Sequence, residues 1–201
     1  MQRRTTRPIT GNQDKAFAIM IAVLLIGVLL GTVSYCFLSN DLSQQLIKSA
    51  EEHIEFRINS DFGHILLHSF FASSLFMAAV FLLGFFALGQ LPILAVLAYR
   101  GMGIGMVLSQ CYSSHSGKEA ISAALLVLPS AVIACYALCM AAKEAVRFST
   151  RLLAIVLSND PCTGIAETTK LYGVRFLALE AVCAASAAAD CFCSVLFASH
   201  L

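Results

Sequence analysis

The architecture follows from residues 65–112, ILLHSFFASSLFMAAVFLLGFFALGQLPILAVLAYRGMGIGMVLSQCY, where two long apolar runs meet at a short break. Each run has about 20 residues, enough at 1.5 Å per residue to cross a hydrocarbon layer of roughly 30 Å. The break is Gly89-Gln90-Leu91-Pro92, and proline is favoured in the first turn of a helix. The stretch therefore predicts two membrane-spanning helices, at 65–88 and 92–112, joined in a tight hairpin.

Three further apolar runs flank this hairpin, at 16–38, 119–142 and 173–200. The chain is 59% hydrophobic and 12% charged, and average soluble chains carry roughly twice that charged fraction. The sequence thus predicts an all-α fold, a polytopic membrane helix bundle of about five transmembrane helices. Residues 1–15 would form a tail and residues 16–201 a single membrane domain. No segment is left for a separate catalytic domain, so we expect the protein not to be an enzyme.

Two of the connecting segments have a recognisable character. Residues 42–58 follow helix-capping residues and have an apolar stripe opposite an acidic face, which predicts an amphipathic helix. Residues 143–172 mix charges with a short apolar piece at 152–157. Six apolar residues cannot span a bilayer, so we expect this piece to continue the fourth helix along the interface.

The basic residues predict the orientation of the chain. Of the 13 lysines and arginines, nine lie in the N-terminal tail and in the 143–175 region, and three lie on the other side. The positive-inside rule then places the N-terminus and the 143–172 loop in the cytoplasm. The 39–64 segment and the C-terminus would be extracytoplasmic. The net charge of +1 gives no indication of nucleic-acid binding.

The cysteines and histidines do not predict a metal centre or a bound cofactor. The eight cysteines lie mostly inside apolar runs without CxxC spacing, and we interpret them as small residues of membrane helices. His64 and His68 have the i, i+4 spacing of half a zinc site, but no third ligand is apparent. There is also no G-x-S-x-G motif.

Arg100 is the most unusual residue of the third predicted span. A charge at the centre of a membrane helix costs about 2.5–3.5 kcal/mol, so we expect it to face the bundle. Gly101, Gly103 and Gly105 follow it at alternate positions and would allow close backbone approach. In the first span, the small-xxx-small spacing of Gly27 and Gly31 would do the same.

Glu180 is the best candidate partner for Arg100. Glu180 lies seven residues beyond Gly173 and Arg100 eight beyond Pro92, so both would lie roughly 10–12 Å along helices that enter from the same side. The alternative is that Arg100 extends toward the headgroups and pairs with no residue. Pro129 should kink the fourth span, because it removes a backbone hydrogen bond.

Several of these features, in the same order and spacing, resemble the family of stage II sporulation protein M. They are Leu83-Gly84, Gly89 to Pro92, Arg100-Gly101 with Gly105, and Leu128-Pro129, within about residues 70–157. The resemblance implies a noncatalytic membrane scaffold that recruits or positions peptidoglycan hydrolases at the sporulation septum. Its partners would be a lytic transglycosylase and an amidase-endopeptidase, and the septum would be thinned so that the forespore can be engulfed.

Two alternatives remain open. The first is a small transport or permease subunit that uses the glycine-rich third span, the buried Arg100 and the kinked fourth span. With only five spans, such a transporter would need to form a homo-oligomer. Conduction of protons or ions would need further carboxylates within the spans, and only Asp190 offers one. The second is an assembly or lipid-interacting protein outside sporulation, whose amphipathic helix lies on the outer leaflet.

Overall fold

The computed structural model describes residues 10–37, 62–114, 118–158 and 165–198, and within these ranges it contains helices and no strands. The helices are α1 (Thr10–Cys36), α2 (Phe62–Gly84), α3 (Gln90–Ser114), α4 (Lys118–Ser158) and α5 (Ile165–Ala198). The predicted all-α class is confirmed. The amphipathic helix predicted at 42–58 lies outside the described residues.

Four of these helices are long and apolar enough to cross a membrane. The candidate spans are Lys15–Cys36, Gly63–Gly84, Gln90–Gln110 and Glu167–Phe192. They correspond to the predicted spans at 16–38, 65–88, 92–112 and 173–200, with shifted boundaries. The last helix starts at Ile165 rather than near Gly173, so Gly173 lies inside α5 and does not mark its beginning.

The fourth predicted span lies in α4, which has 41 residues. At 1.5 Å per residue this helix is about 60 Å long, roughly twice the hydrocarbon thickness. It contains Pro129 and continues unbroken through residues 143–158. This confirms that the apolar piece at 152–157 continues the fourth helix, and the region predicted as a loop at 143–172 is mostly helical, formed by the end of α4 and the beginning of α5.

The turn between α2 and α3 is short and is closed by several backbone hydrogen bonds. The Phe85 amide donates to the Leu82 carbonyl and the Phe86 amide donates to the Leu83 carbonyl, each at 3.1 Å. The Gly89 carbonyl accepts from the Ile93 amide at 3.0 Å, which begins α3. A Cβ atom on Gly89 would collide with the carbonyl oxygen of Leu83, so this turn requires glycine. Because of the turn, α2 ends at Gly84 and not at the predicted residue 88. We call this end of the bundle the turn end.

Glycines on α1 and α3 bring the two helix backbones into direct contact. A Cβ atom on Gly27 or Gly31 would collide with the α3 backbone, and one on Gly101 or Gly105 would collide with the α1 backbone. Close backbone contact of this kind is typical of helix pairs in membranes. Gly103 has open space around its Cα and takes no part in the contact.

An aromatic cluster fills the bundle at the turn end, and we define it as Phe81, Phe85, Phe148, Tyr172 and Phe176. The Tyr172 ring is stacked between those of Phe148, 4.4 Å away, and Phe81, 5.2 Å away. Its hydroxyl donates to the Phe81 carbonyl at 3.0 Å. The cluster thereby ties α5 to both α2 and α4.

Candidate functional site

A polar cavity of about 170 Å³ lies among α2, α3, α4 and α5, toward the end opposite the turn. A cavity of this size has room for several water molecules. The polar side chains at its wall are His68, Ser69, Ser73, Arg100, Ser130, Ser186 and Asp190. Alanines form the remainder of the lining, and their small side chains create the space.

Asp190 is the buried centre of this cavity, with 2% of its surface exposed. The Ser69 hydroxyl donates to its Oδ2 atom and the Ser130 hydroxyl donates to its Oδ1 atom, the latter at 2.9 Å. The Ser186 hydroxyl donates to the Ser130 carbonyl at 2.7 Å. A carboxylate buried in a bundle is costly unless donors satisfy its oxygens, and hydroxyls from α2 and α4 do so here.

The helical repeat explains why these groups converge. Ser186 and Asp190 are four residues apart on α5, as are Ser69 and Ser73 on α2, and residues at this spacing share one helix face. The α5 face meets α2 and α4, which are its main neighbours. Pro129 lies inside α4, directly before Ser130. Because a proline has no N–H group, α4 lacks one backbone hydrogen bond donor next to the cavity.

Arg100 faces the interior of the bundle, as the sequence predicts, and lines the polar cavity. Its guanidinium carbon lies 5.0 Å from the centroid of the Phe76 ring on α2, a distance at which a cation is attracted to an aromatic face. Among the described residues, no carboxylate lies within ion-pair distance of it. The guanidinium therefore offers hydrogen-bond donors toward the cavity.

The structure does not bring Glu180 to Arg100. The depth predicted for Glu180 is counted from Gly173, whereas α5 begins at Ile165. In addition, α5 packs against α2 and α4, whereas α3 packs mainly against α1 and α4. The Oε1 atom of Glu180 is buried and has no hydrogen-bond partner within the described part of the chain. Pro92 lies in the first turn of α3, where its missing N–H needs no partner.

Sequence reasoning missed the serines that surround Asp190. The signal that could have found them is the i, i+4 spacing of Ser186 with Asp190 and of Ser69 with Ser73. His68 lines the cavity and His64 does not, and both side chains are exposed. The arrangement can bind water or a small polar molecule, with donors from Arg100 and acceptors from Asp190 and the serine hydroxyl oxygens.

Comparison with known proteins adds one match. The model of the family described as stage II sporulation protein M matches residues 16–194. This range includes most of all five helices, well beyond the stretch at 70–157 on which the resemblance in the sequence rests. No curated protein and no solved structure matches the chain.

Proposed function

The chain belongs to the stage II sporulation protein M family, and we propose that it is a noncatalytic membrane scaffold of the sporulation septum. In this role it recruits or positions a lytic transglycosylase and an amidase-endopeptidase. Those enzymes then thin the septal peptidoglycan, and the mother-cell membrane engulfs the forespore. The observation that carries the proposal is the family match over residues 16–194.

The close packing of the helices supports this role. Backbone contact joins α1 to α3, and the aromatic cluster joins α2, α4 and α5. Many large apolar side chains point outward from the candidate spans, including Leu29, Phe71 and Leu75, each more than 60% exposed. Such a surface suits lipid or other membrane helices. A closely packed bundle embedded in the membrane can hold partner enzymes near the membrane surface.

Two parts of the proposal concern segments outside the bundle. We expect the partners to dock on the predicted extracytoplasmic segment at 39–64, which includes the predicted amphipathic helix and lies outside the described residues apart from its last three. The acidic face predicted there suits a basic partner surface. The site of action would be the septal region of the mother-cell membrane.

Deletion of the gene in its own host tests the scaffold proposal. We expect engulfment to arrest at a thick septum, visible by membrane microscopy during starvation, and the wild-type gene to restore it. Affinity capture of the tagged protein from sporulating cells should recover cell-wall hydrolases, whereas an unrelated multi-pass membrane protein with the same tag should not. Normal engulfment of the deletion strain would overturn the proposal.

The polar cavity favours a second candidate function, a small transport subunit. Arg100 and Asp190 line one cavity inside the bundle, and buried ionisable residues often mark solute pathways. The variant Arg100→Gln, produced at the wild-type level, separates the two functions. A scaffold should still support engulfment, whereas a transporter that uses this charge should fail. Capture of a transport ATPase would also favour the alternative.

A further inference from the structure

A second cavity, of about 80 Å³, lies at the turn end of the bundle between α4 and α5. We call it the basic pocket. Its lining residues are Glu144, Arg147, Phe148, Arg151, Thr168, Leu171, Tyr172 and Arg175. Three guanidinium groups thus meet one carboxylate, and the pocket carries an excess of two positive charges.

Glu144 holds two of the three arginines in place. It accepts from Arg147 at 3.1 Å on Oε1 and from Arg175 on Oε2. The Glu144 side chain is only 16% exposed, whereas those of Arg147 and Arg175 are 35% and 45% exposed. A guanidinium has five N–H donors, so each of these arginines keeps donors that can bind an incoming group. Arg151 is exposed and makes no ion pair among the described residues.

Hydrogen bonds fix the level of the basic pocket along the bundle. The Ser149 hydroxyl donates to the Phe86 carbonyl at 2.8 Å, and the Nε2 atom of the Gln90 side chain donates to the Thr150 hydroxyl at 3.1 Å. These bonds place the middle of the Arg147–Arg151 segment level with the turn. Since the candidate spans of α2 and α3 end and begin at this turn, the pocket lies where a bilayer changes from acyl chains to headgroups.

The surface next to Arg175 is apolar. Leu171, Val174 and Leu177 are spaced by three residues on α5 and are 51%, 60% and 73% exposed. Residues at this spacing lie on one side of a helix, so the apolar stripe starts at the pocket and continues along the span. An acyl chain could lie on this stripe while its headgroup occupies the pocket.

From this combination we propose that the basic pocket binds the phosphate of an anionic phospholipid. Arginine matches phosphate oxygens with two parallel N–H donors, and basic pockets between membrane helices are suited to acidic headgroups. The apolar stripe favours a phospholipid over a soluble phosphate, which would gain nothing from Leu171 and Val174. This inference concerns a site that the scaffold function does not require.

Titration of the full-length protein in detergent tests the proposal. The probes are dioctanoyl-phosphatidylglycerol, dioctanoyl-phosphatidylcholine and inorganic phosphate, and the readout is the thermal unfolding midpoint against probe concentration. We expect phosphatidylglycerol to raise the midpoint and the other two probes to have little effect. Because Arg151 would supply a charge-assisted hydrogen bond to the phosphate, Arg151→Gln should weaken phosphatidylglycerol binding about tenfold.

Lys170→Gln is the matched control. Lys170 is an exposed cation on α5 that does not line the basic pocket, so its variant should bind phosphatidylglycerol as the wild type does. Equal weakening in both variants would overturn the proposal in favour of diffuse surface charge. Equal effects of the two lipids would overturn it as well. If inorganic phosphate stabilises the protein as much as phosphatidylglycerol does, the pocket binds a soluble phosphate, and the proposal of a bound phospholipid is wrong.

Discussion

The same three helices, α2, α4 and α5, are packed in opposite ways at their two ends. At the turn end, five aromatic rings contact one another and leave Tyr172 and Phe148 no more than 5% exposed. Toward the other end, alanines and serines line a cavity of about 170 Å³ around Asp190. On α4, Phe148 belongs to the first region and Ala134 to the second.

This difference separates two tasks within one bundle. Aromatic side chains bury much area and prefer defined ring geometries, so the aromatic cluster fixes how the helices meet. Small side chains leave room that water or a ligand can occupy. The polar cavity can therefore change its occupant while the turn end keeps the helices in place. If so, substitutions at the turn end should destabilise the protein more than substitutions in the cavity.

The largest effect should come from Tyr172→Ala at the turn end. The variant removes a ring that is stacked on both sides and leaves a void, and truncation of a buried aromatic residue typically costs about 3–5 kcal/mol. The free energy of unfolding, measured by SDS titration of the purified protein in mixed micelles, checks this. Tyr172→Phe keeps the ring and loses only the hydrogen bond to Phe81, so its cost should be about 1 kcal/mol.

Tyr112→Ala serves as the control for this prediction. Tyr112 is 85% exposed, so its loss should change the unfolding free energy little. A cost for Tyr172→Ala no larger than that of the control would show that the aromatic cluster does not hold the bundle together.

Two buried alanines on α4 allow a direct comparison of the ends by added volume. Ala145 is fully buried beside the turn end, and Ala134 is 7% exposed and lines the polar cavity. Extra methylenes in a well-packed site cost about 1–3 kcal/mol, which we expect for Ala145→Leu. Ala134→Leu should cost less, because its side chain can enter existing space. The same SDS titration measures both, and equal costs would contradict the contrast between the ends.

The elements of the fold could be predicted from local sequence, whereas their lateral order could not. Apolar runs predict the spans, and Gly89 with Pro92 predicts the hairpin, because these signals act within a few residues. The glycine spacing at Gly27 and Gly31 predicts that some helix approaches closely. That this helix is α3 depends on which faces meet in the bundle, which no local pattern specifies.

The candidate site shows the same limit. A mid-span charge must face the bundle, so the inward orientation of Arg100 follows from its cost in lipid. Its neighbours do not follow, because the depth predicted for Glu180 assumes that the helix begins near Gly173, and α5 is not a main neighbour of α3. The serines around Asp190 come from three helices and meet only after the helices pack. Serine alone gives a weak signal, since it is also common at membrane helix interfaces.

The smallest effects should come from removing one serine hydroxyl at each end. Ser149 is fully buried and donates to the Phe86 carbonyl at 2.8 Å, so Ser149→Ala should cost about 1 kcal/mol. Ser130→Ala removes one donor to Asp190, but water in the polar cavity can replace it, and bridging water is nearly as good as a direct hydrogen bond. We therefore expect a smaller loss in the SDS titration. If Ser130→Ala instead costs more than Ser149→Ala, the cavity excludes water, and the serine hydroxyls hold this end together as firmly as the aromatic rings hold the other.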